Sequence, residues 1–143
     1  MPSLNRRLNV IARCAALYRE KALAGTGVGP YENAYLFHIC HHPGISQETL
    51  ARELYVNKSS VTRHLAHLES EGFLFRKPDE SDRRALLVYP TEKAMEILPR
   101  LREVGMEWEI LLTAGLSEAE SRMFENILDR AFANACSAVK EKI

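Results

Sequence analysis

Apolar residues recur along the chain in two different periods, and each change of period marks a structural element. Leu4, Leu8, Ile11, Ala15, Tyr18 and Ala22 follow alternating steps of four and three, which places them on one stripe of a helix over residues 4–24. Gly25, Gly27 and Gly29 end that helix, and Pro30 suits the first position of a second one running through Tyr35 and Phe37 to Pro43 and Gly44. Ser46 caps a third helix of about two turns, with Ile45 and Leu50 at the spacing of a hydrophobic staple. After a tight turn at Tyr55, Asn57 caps a fourth helix whose inward residues are Val61, Leu65 and Leu68, and Gly72 supplies a left-handed stop.

The pattern then shortens. Residues 73–77 and 85–89 are apolar-rich runs flanking the polar segment PDESDRR, which predicts a β-hairpin with a charged tip. Thr91 caps a long helix with Ala94, Leu98, Leu101, Trp108 and Leu112 on one stripe, and Pro99 and Gly105 predict a bend in it. Ser117 and Glu120 form a capping box for a last helix carrying Phe124, Leu128, Ala131, Ala135 and Ala138 in line. The predicted fold is mainly α with a small β-hairpin wing, an α+β winged helix-turn-helix over residues 31–90 within a single domain of residues 1–143. Helices over 1–24 and 91–143 carry more apolar surface than such a small core covers, so they are expected to dimerise.

Composition narrows the class without choosing a function. A chain of 143 residues, 46% hydrophobic and 27% charged, can bury a core of its own. Its net charge is zero, so attraction to phosphate must come from local clusters of cations. Charges interrupt every apolar run, which predicts no membrane span, and Arg13 and Arg19 break what a signal peptide would keep apolar. A cytoplasmic location is expected, and Cys14, Cys40 and Cys136 read as reduced thiols. The sequence has no Gly-rich phosphate loop, nucleophile elbow or paired-carboxylate motif, so an enzyme is not expected and no cofactor is implied.

With Val61, Leu65 and Leu68 turned inward, the fourth helix presents Lys58, Ser59, Ser60, Thr62, Arg63, His64 and His67. Short hydroxyls and an arginine suit base edges in a major groove, while lysine and helix N-terminal N–H groups suit phosphates. A plain solvated helix face would look similar in isolation; the preceding helix, the turn and the hairpin favour double-stranded DNA. Arg63 and Thr62 are expected to read bases, and Lys58 and Ser60 to hold phosphates. In the wing, Asp82 is expected to hold one arginine by a charge-assisted bond, with Arg83 reaching a minor groove and Arg84 supporting. The alternative is a hairpin tip whose charges only keep it solvated. Ser46, Asn57 and Arg76 complete the expected DNA-facing set.

The run ETLARELYVNKSSVTRHLAHLESEGFLFR, the D-x-x-D-R-R wing and a strand leading into a threonine-capped helix resemble the MarR family of transcriptional regulators. Tyr55 stands where such turns often have glycine, and Tyr89-Pro90 stands where the family has an aliphatic residue and leucine, which puts the local backbone in question. The resemblance implies a homodimer on a pseudo-palindromic operator, most often a repressor, released by a small-molecule effector. Tyr18, Tyr31, Tyr35, His38 and Trp108 are the candidate effector residues, with core filling as the equal alternative.

Some members of the family sense peroxide through an N-terminal cysteine. Cys14 lies sixteen residues before Pro30, out of that register, and is expected to be a buried, inert thiol. His38 and His42 have zinc-ligand spacing, but Pro43 frays the helix end and no metal is expected. Thiol or metal sensing on the same fold, and a winged helix that binds protein rather than DNA, are the remaining alternatives.

Overall fold

The computed structural model describes residues 1–140 as two compact units, residues 1–106 and the C-terminal residues from Glu107 onward. The element order is α1 (Leu4–Ala22), α2 (Asn33–His41), β1 (Ile45–Ser46), α3 (Gln47–Glu53), α4 (Lys58–Ser70), β2 (Leu74–Pro78), β3 (Leu86–Pro90), α5 (Glu92–Leu112) and α6 (Glu118–Lys140). This is a winged helix-turn-helix with mostly helical content, as the periodicities predict.

In the first unit, each helix start is closed by a side chain that the sequence marks. Ser46 accepts from the Thr49 N–H at 3.1 Å, and Asn57 accepts from the Ser60 N–H at 2.8 Å. Both satisfy backbone donors that a helix leaves open at its N-terminus. Val61, Leu65 and Leu68 of α4 then pack with Leu36 and Ile39 of α2, Leu50 of α3, Phe73, Val88 and the start of α5 in one core. α1 joins this unit through its C-terminal half, where Ala15 and Ala16 are buried and Tyr18 and Ala22 lie against the core.

Two local expectations are corrected. α2 starts after Glu32 and not at Pro30, because residues 30–32 form a turn in which the Glu32 N–H bonds the Gly29 carbonyl at 3.1 Å. Both predicted strands begin one residue later, and a third, β1, adds to the hairpin in the order β1-β3-β2. Its two residues pair Ile45 with Val88 and Ser46 with Leu87, too short a run to carry a period of its own. α5 runs as one helix through both Pro99 and Gly105.

The turn between α3 and α4 answers the question raised by Tyr55, which takes φ 56°, the left-handed conformation usually left to glycine. Its backbone N–H reaches the Arg52 carbonyl, and Val56 N–H closes on Ala51. In the wing, Phe75 stacks on Tyr89 with ring centres 5.3 Å apart, and the Lys77 ammonium lies 4.5 Å from the Tyr89 ring. These contacts stiffen the outer face of the β2–β3 pair.

The second unit opens with the last turns of α5 and contains α6. The predicted capping box is present, with the Glu120 carboxylate accepting from Ser117 N–H at 3.0 Å and Ser117 Oγ from Glu120 N–H at 3.1 Å. Those bonds hold the Glu120 carboxyl below its usual range. None of the described α6 residues is buried; Met123, Phe124, Ile127, Leu128 and Phe132 are all exposed. No helix among the described residues is long and apolar enough to cross a membrane.

Candidate nucleic-acid interface

The helix α4 has no acid in its first turn and carries Lys58 there instead. A cation at the positive end of a helix is unfavourable in isolation and becomes favourable when an anion sits at that end. Lys58, Ser59, Thr62 and Arg63 are exposed, while Ser60 is partly covered and gives its N–H to the Asn57 cap. Thr62 Oγ donates to the Lys58 carbonyl at 2.9 Å, which leaves its lone pairs free to accept.

The wing comes beside the start of α4. Lys58 and Thr62 line a cleft of about 210 Å³ together with Ser46, Gln47 and Arg84. Among the described residues, no ion pair holds Lys58, Arg63, Arg83 or Arg84. The structure thus brings one exposed cation of α4, Lys58, and one of the wing, Arg84, to the same cleft, which Glu48 also lines.

The wing tip is organised differently from the expectation. Asp82 does not grip an arginine side chain; its carboxylate accepts from the Arg84 backbone N–H at 3.1 Å, and its carbonyl accepts from Ala85 N–H. Asp79 does the same for Ser81, taking its N–H at 3.0 Å and its hydroxyl at 2.9 Å. The acids therefore shape the turn through local bonds that a short carboxylate makes more cheaply than a long-range ion pair. Both guanidinium groups of Arg83 and Arg84 stay exposed.

Three of the expected DNA-facing residues have internal partners that the sequence does not reveal. Arg76 is forked onto Glu69, Nη2 to Oε1 at 3.1 Å and Nε to Oε2 at 3.4 Å, and its Nη1 donates to Gln47 at 2.9 Å. This ties β2 to α4 and α3, and the bonds from Arg76 hold the Glu69 carboxyl below its usual range. His64 and His67 both turn their Nδ1 atoms to the carboxylate of Glu32, at 2.9 Å and 2.8 Å. Ser46 spends its hydroxyl on Thr49 in the capping role that the sequence predicts.

The five candidate effector residues separate. Tyr31 and Tyr35 line a cleft of about 350 Å³ with Ser60, Arg63 and His64. Tyr35 is also part of the core, and burial first, then the charge of Glu32, pushes its phenol up while its buried hydroxyl has no hydrogen-bond partner. His38 pairs with Glu53 at 2.9 Å, Tyr18 packs against the core, and Trp108 belongs to the second unit. Cys14 is exposed, which corrects the expectation of a buried thiol: its place on α1 is off the Ala15–Ala16 face that packs inward. Burial pushes the Cys40 thiol up. His38 and His42 lie with ring centres 5.9 Å apart, and no group of three potential metal ligands occurs among the described residues.

The MarR family model matches residues 32–86, from the residue before α2 into β3. An uncharacterized HTH-type transcriptional regulator of Bacillus subtilis (strain 168), YybA, is 28% identical over 134 residues, covering 94% of this chain and 89% of that protein. A crystal structure of MarR superposes with a TM-score of 0.91 at 29% identity, covering 98% of this chain and 95% of the other. A MarR family transcriptional regulator from Listeria monocytogenes, complexed with 26mer DNA, superposes with a TM-score of 0.84 at 25% identity over 99% of this chain and 96% of the other. With the α2 to β3 order, the capped α4 and the wing all in place, the chain belongs to the MarR family and is a DNA-binding transcriptional regulator of the winged helix-turn-helix type.

Proposed function

We propose that the protein works in the cytoplasm as a homodimer that occupies a pseudo-palindromic operator and represses transcription. α4 enters the major groove, Arg63 and Thr62 read base edges, Lys58 and Ser60 hold phosphate, and Arg83 probes the adjacent minor groove with Arg84 in support. The observation that carries this reading is that Lys58, Arg63, Arg83 and Arg84, on α4 and the wing of a chain with zero net charge, are exposed and stand outside the ion pairs of the described residues. The DNA complex of the Listeria relative supports the same kind of partner. In the test, duplex selected from a random library by the parent protein is titrated with Arg63→Ala and Arg83→Ala at moderate salt. Weaker binding by both is expected, and parental affinity in both variants would reject the assignment.

Dimerisation is supported by the apolar residues that α6 leaves exposed, because contiguous patches of this kind normally meet another surface. Sedimentation at micromolar concentration is expected to give a dimer; a stable folded monomer would reject it. Release by a small aromatic or anionic molecule is supported by the Tyr31–Tyr35 cleft, where a ligand would compete for Arg63. The matching experiment is displacement of bound duplex by aromatic carboxylates, with no displacement by any of them as the rejecting result.

A further inference from the structure

Glu32 is the one buried polar or charged side chain among the described residues, 3% exposed at the start of α2. A buried carboxylate is costly unless its lone pairs are taken up, and here they are. Oε1 accepts from the Gly29 N–H at 2.8 Å and stands 2.8 Å from His67 Nδ1; Oε2 stands 2.9 Å from His64 Nδ1 and 3.0 Å from His67 Nδ1. An ionised carboxylate can only accept, so both imidazoles must carry their proton on Nδ1. The neighbouring charged and titratable groups are Tyr35, whose ring is 5.2 Å from that of His64, Arg63 on the same cleft, and Glu71, with Oε1 3.9 Å from His67 Nε2.

The glycine-rich loop before α2 is shaped around this acid. A Cβ at Gly29 would lie 2.8 Å from Glu32 Oε1 and 3.1 Å from its Cδ, and one at Gly27 would lie 2.7 Å from Glu71 Oε2. Val61, Leu65 and Leu68 already hold α4 on the core, but apolar contact is non-directional and sets depth better than rotation. Hydrogen bonds of 2.8–3.0 Å from two residues three apart on α4 set the rotation. Arg63 precedes His64 directly and lies one turn before His67, so any rotation that breaks the clamp also moves Arg63.

We propose that Glu32 is a positioning residue for DNA recognition: through His64 and His67 its carboxylate fixes the rotation of α4 and so the place where Arg63 meets a base edge. The inference rests on the reading of α4 as the DNA-contacting helix. It differs from a purely structural role in acting on discrimination between sequences more than on binding to DNA as such.

The test uses the full chain, the duplex selected by the parent protein and a scrambled duplex of equal length. Glu32→Gln keeps the shape but replaces one of the two acceptor oxygens with a donor, so it cannot accept from both imidazoles; Gly29→Ala keeps the charge and crowds the carboxylate. Each is expected to lower the ratio of selected to scrambled affinity by about tenfold, the loss of roughly one base contact. In the free parent, nitrogen-resolved imidazole spectra are expected to show Nδ1–H on both His64 and His67, and in Glu32→Gln one ring changes to Nε2–H as it accepts from the amide. An unchanged ratio in both folded variants, or a ring of the parent without a proton on Nδ1, would overturn the proposal while leaving the DNA reading standing. A parent that selects no duplex would overturn both.

Discussion

α4 and α6 are built from the same local grammar and end in opposite conditions. Each begins at a side-chain cap and carries an apolar stripe, yet α4 buries Val61, Leu65 and Leu68 at 1% exposure or less, whereas α6 has no buried residue and leaves Phe132 66% exposed. The difference teaches that amphipathic period specifies a face but not what covers it. The stripe of α4 is covered by α2, α3, the sheet and the start of α5. The stripe of α6 remains open within the described residues, and it is the face that the proposed dimer would cover.

The largest effect expected from this contrast is in the closed half. Leu65→Ala should cost about 3 to 4 kcal/mol of folding stability, because it leaves a cavity among residues that cannot collapse onto it. Urea denaturation followed by circular dichroism measures it; a loss below about 1 kcal/mol would mean that α4 is as open as α6. Phe132→Asp should do the reverse, weakening self-association by about a hundredfold, or roughly 3 kcal/mol, with the fold retained. Sedimentation over a concentration series decides this, and an unchanged assembly would remove α6 from the interface.

Smaller changes sharpen the comparison on the α4 side. Arg63→Ala should lose about 1 to 3 kcal/mol of discrimination, and Lys58→Ala should weaken all duplexes alike and reduce the slope of affinity against salt by about one ion. The smallest effect concerns Glu69, whose carboxyl is held down chiefly by its bond to Arg76. A depressed carboxyl contributes stability that is present above the ordinary carboxylate range and lost as pH falls through its lowered value. Glu69→Gln should therefore flatten the acid limb of stability below about pH 4, by less than about 1 kcal/mol since the pair is partly exposed. An identical acid limb in parent and variant would show that the pair does not tie the wing to α4.

Much of the fold was legible because the signals are local. Ser46, Asn57 and the Ser117–Glu120 box cap the helices that they predict, and Gly72 takes φ 81° at the end of α4. Exposed site residues were legible for the same reason: once the inward stripe of α4 is known, Lys58, Thr62 and Arg63 follow. The engaged residues were not. His64 lies 32 residues from Glu32, and Arg76 lies 29 from Gln47. In the sequence His64, His67 and Arg76 are simply polar and outward, and the only signal at Glu32 is an acid three residues after Gly29, the last glycine of the loop. Asp82 was given a partner side chain where a two-residue backbone bond suffices.

By itself the sequence determined where helices start and stop, which face of each is apolar, and that the cations of α4 and the wing belong to one winged motif. Those properties depend on rise, period and capping over a few residues, which the chain carries without reference to its fold. Only the tertiary structure decided which polar residues are free and which are spent. That outcome depends on distances between segments tens of residues apart, and it is there that Glu32 meets two histidines and Arg76 meets Glu69, while Arg63 is left to face outward.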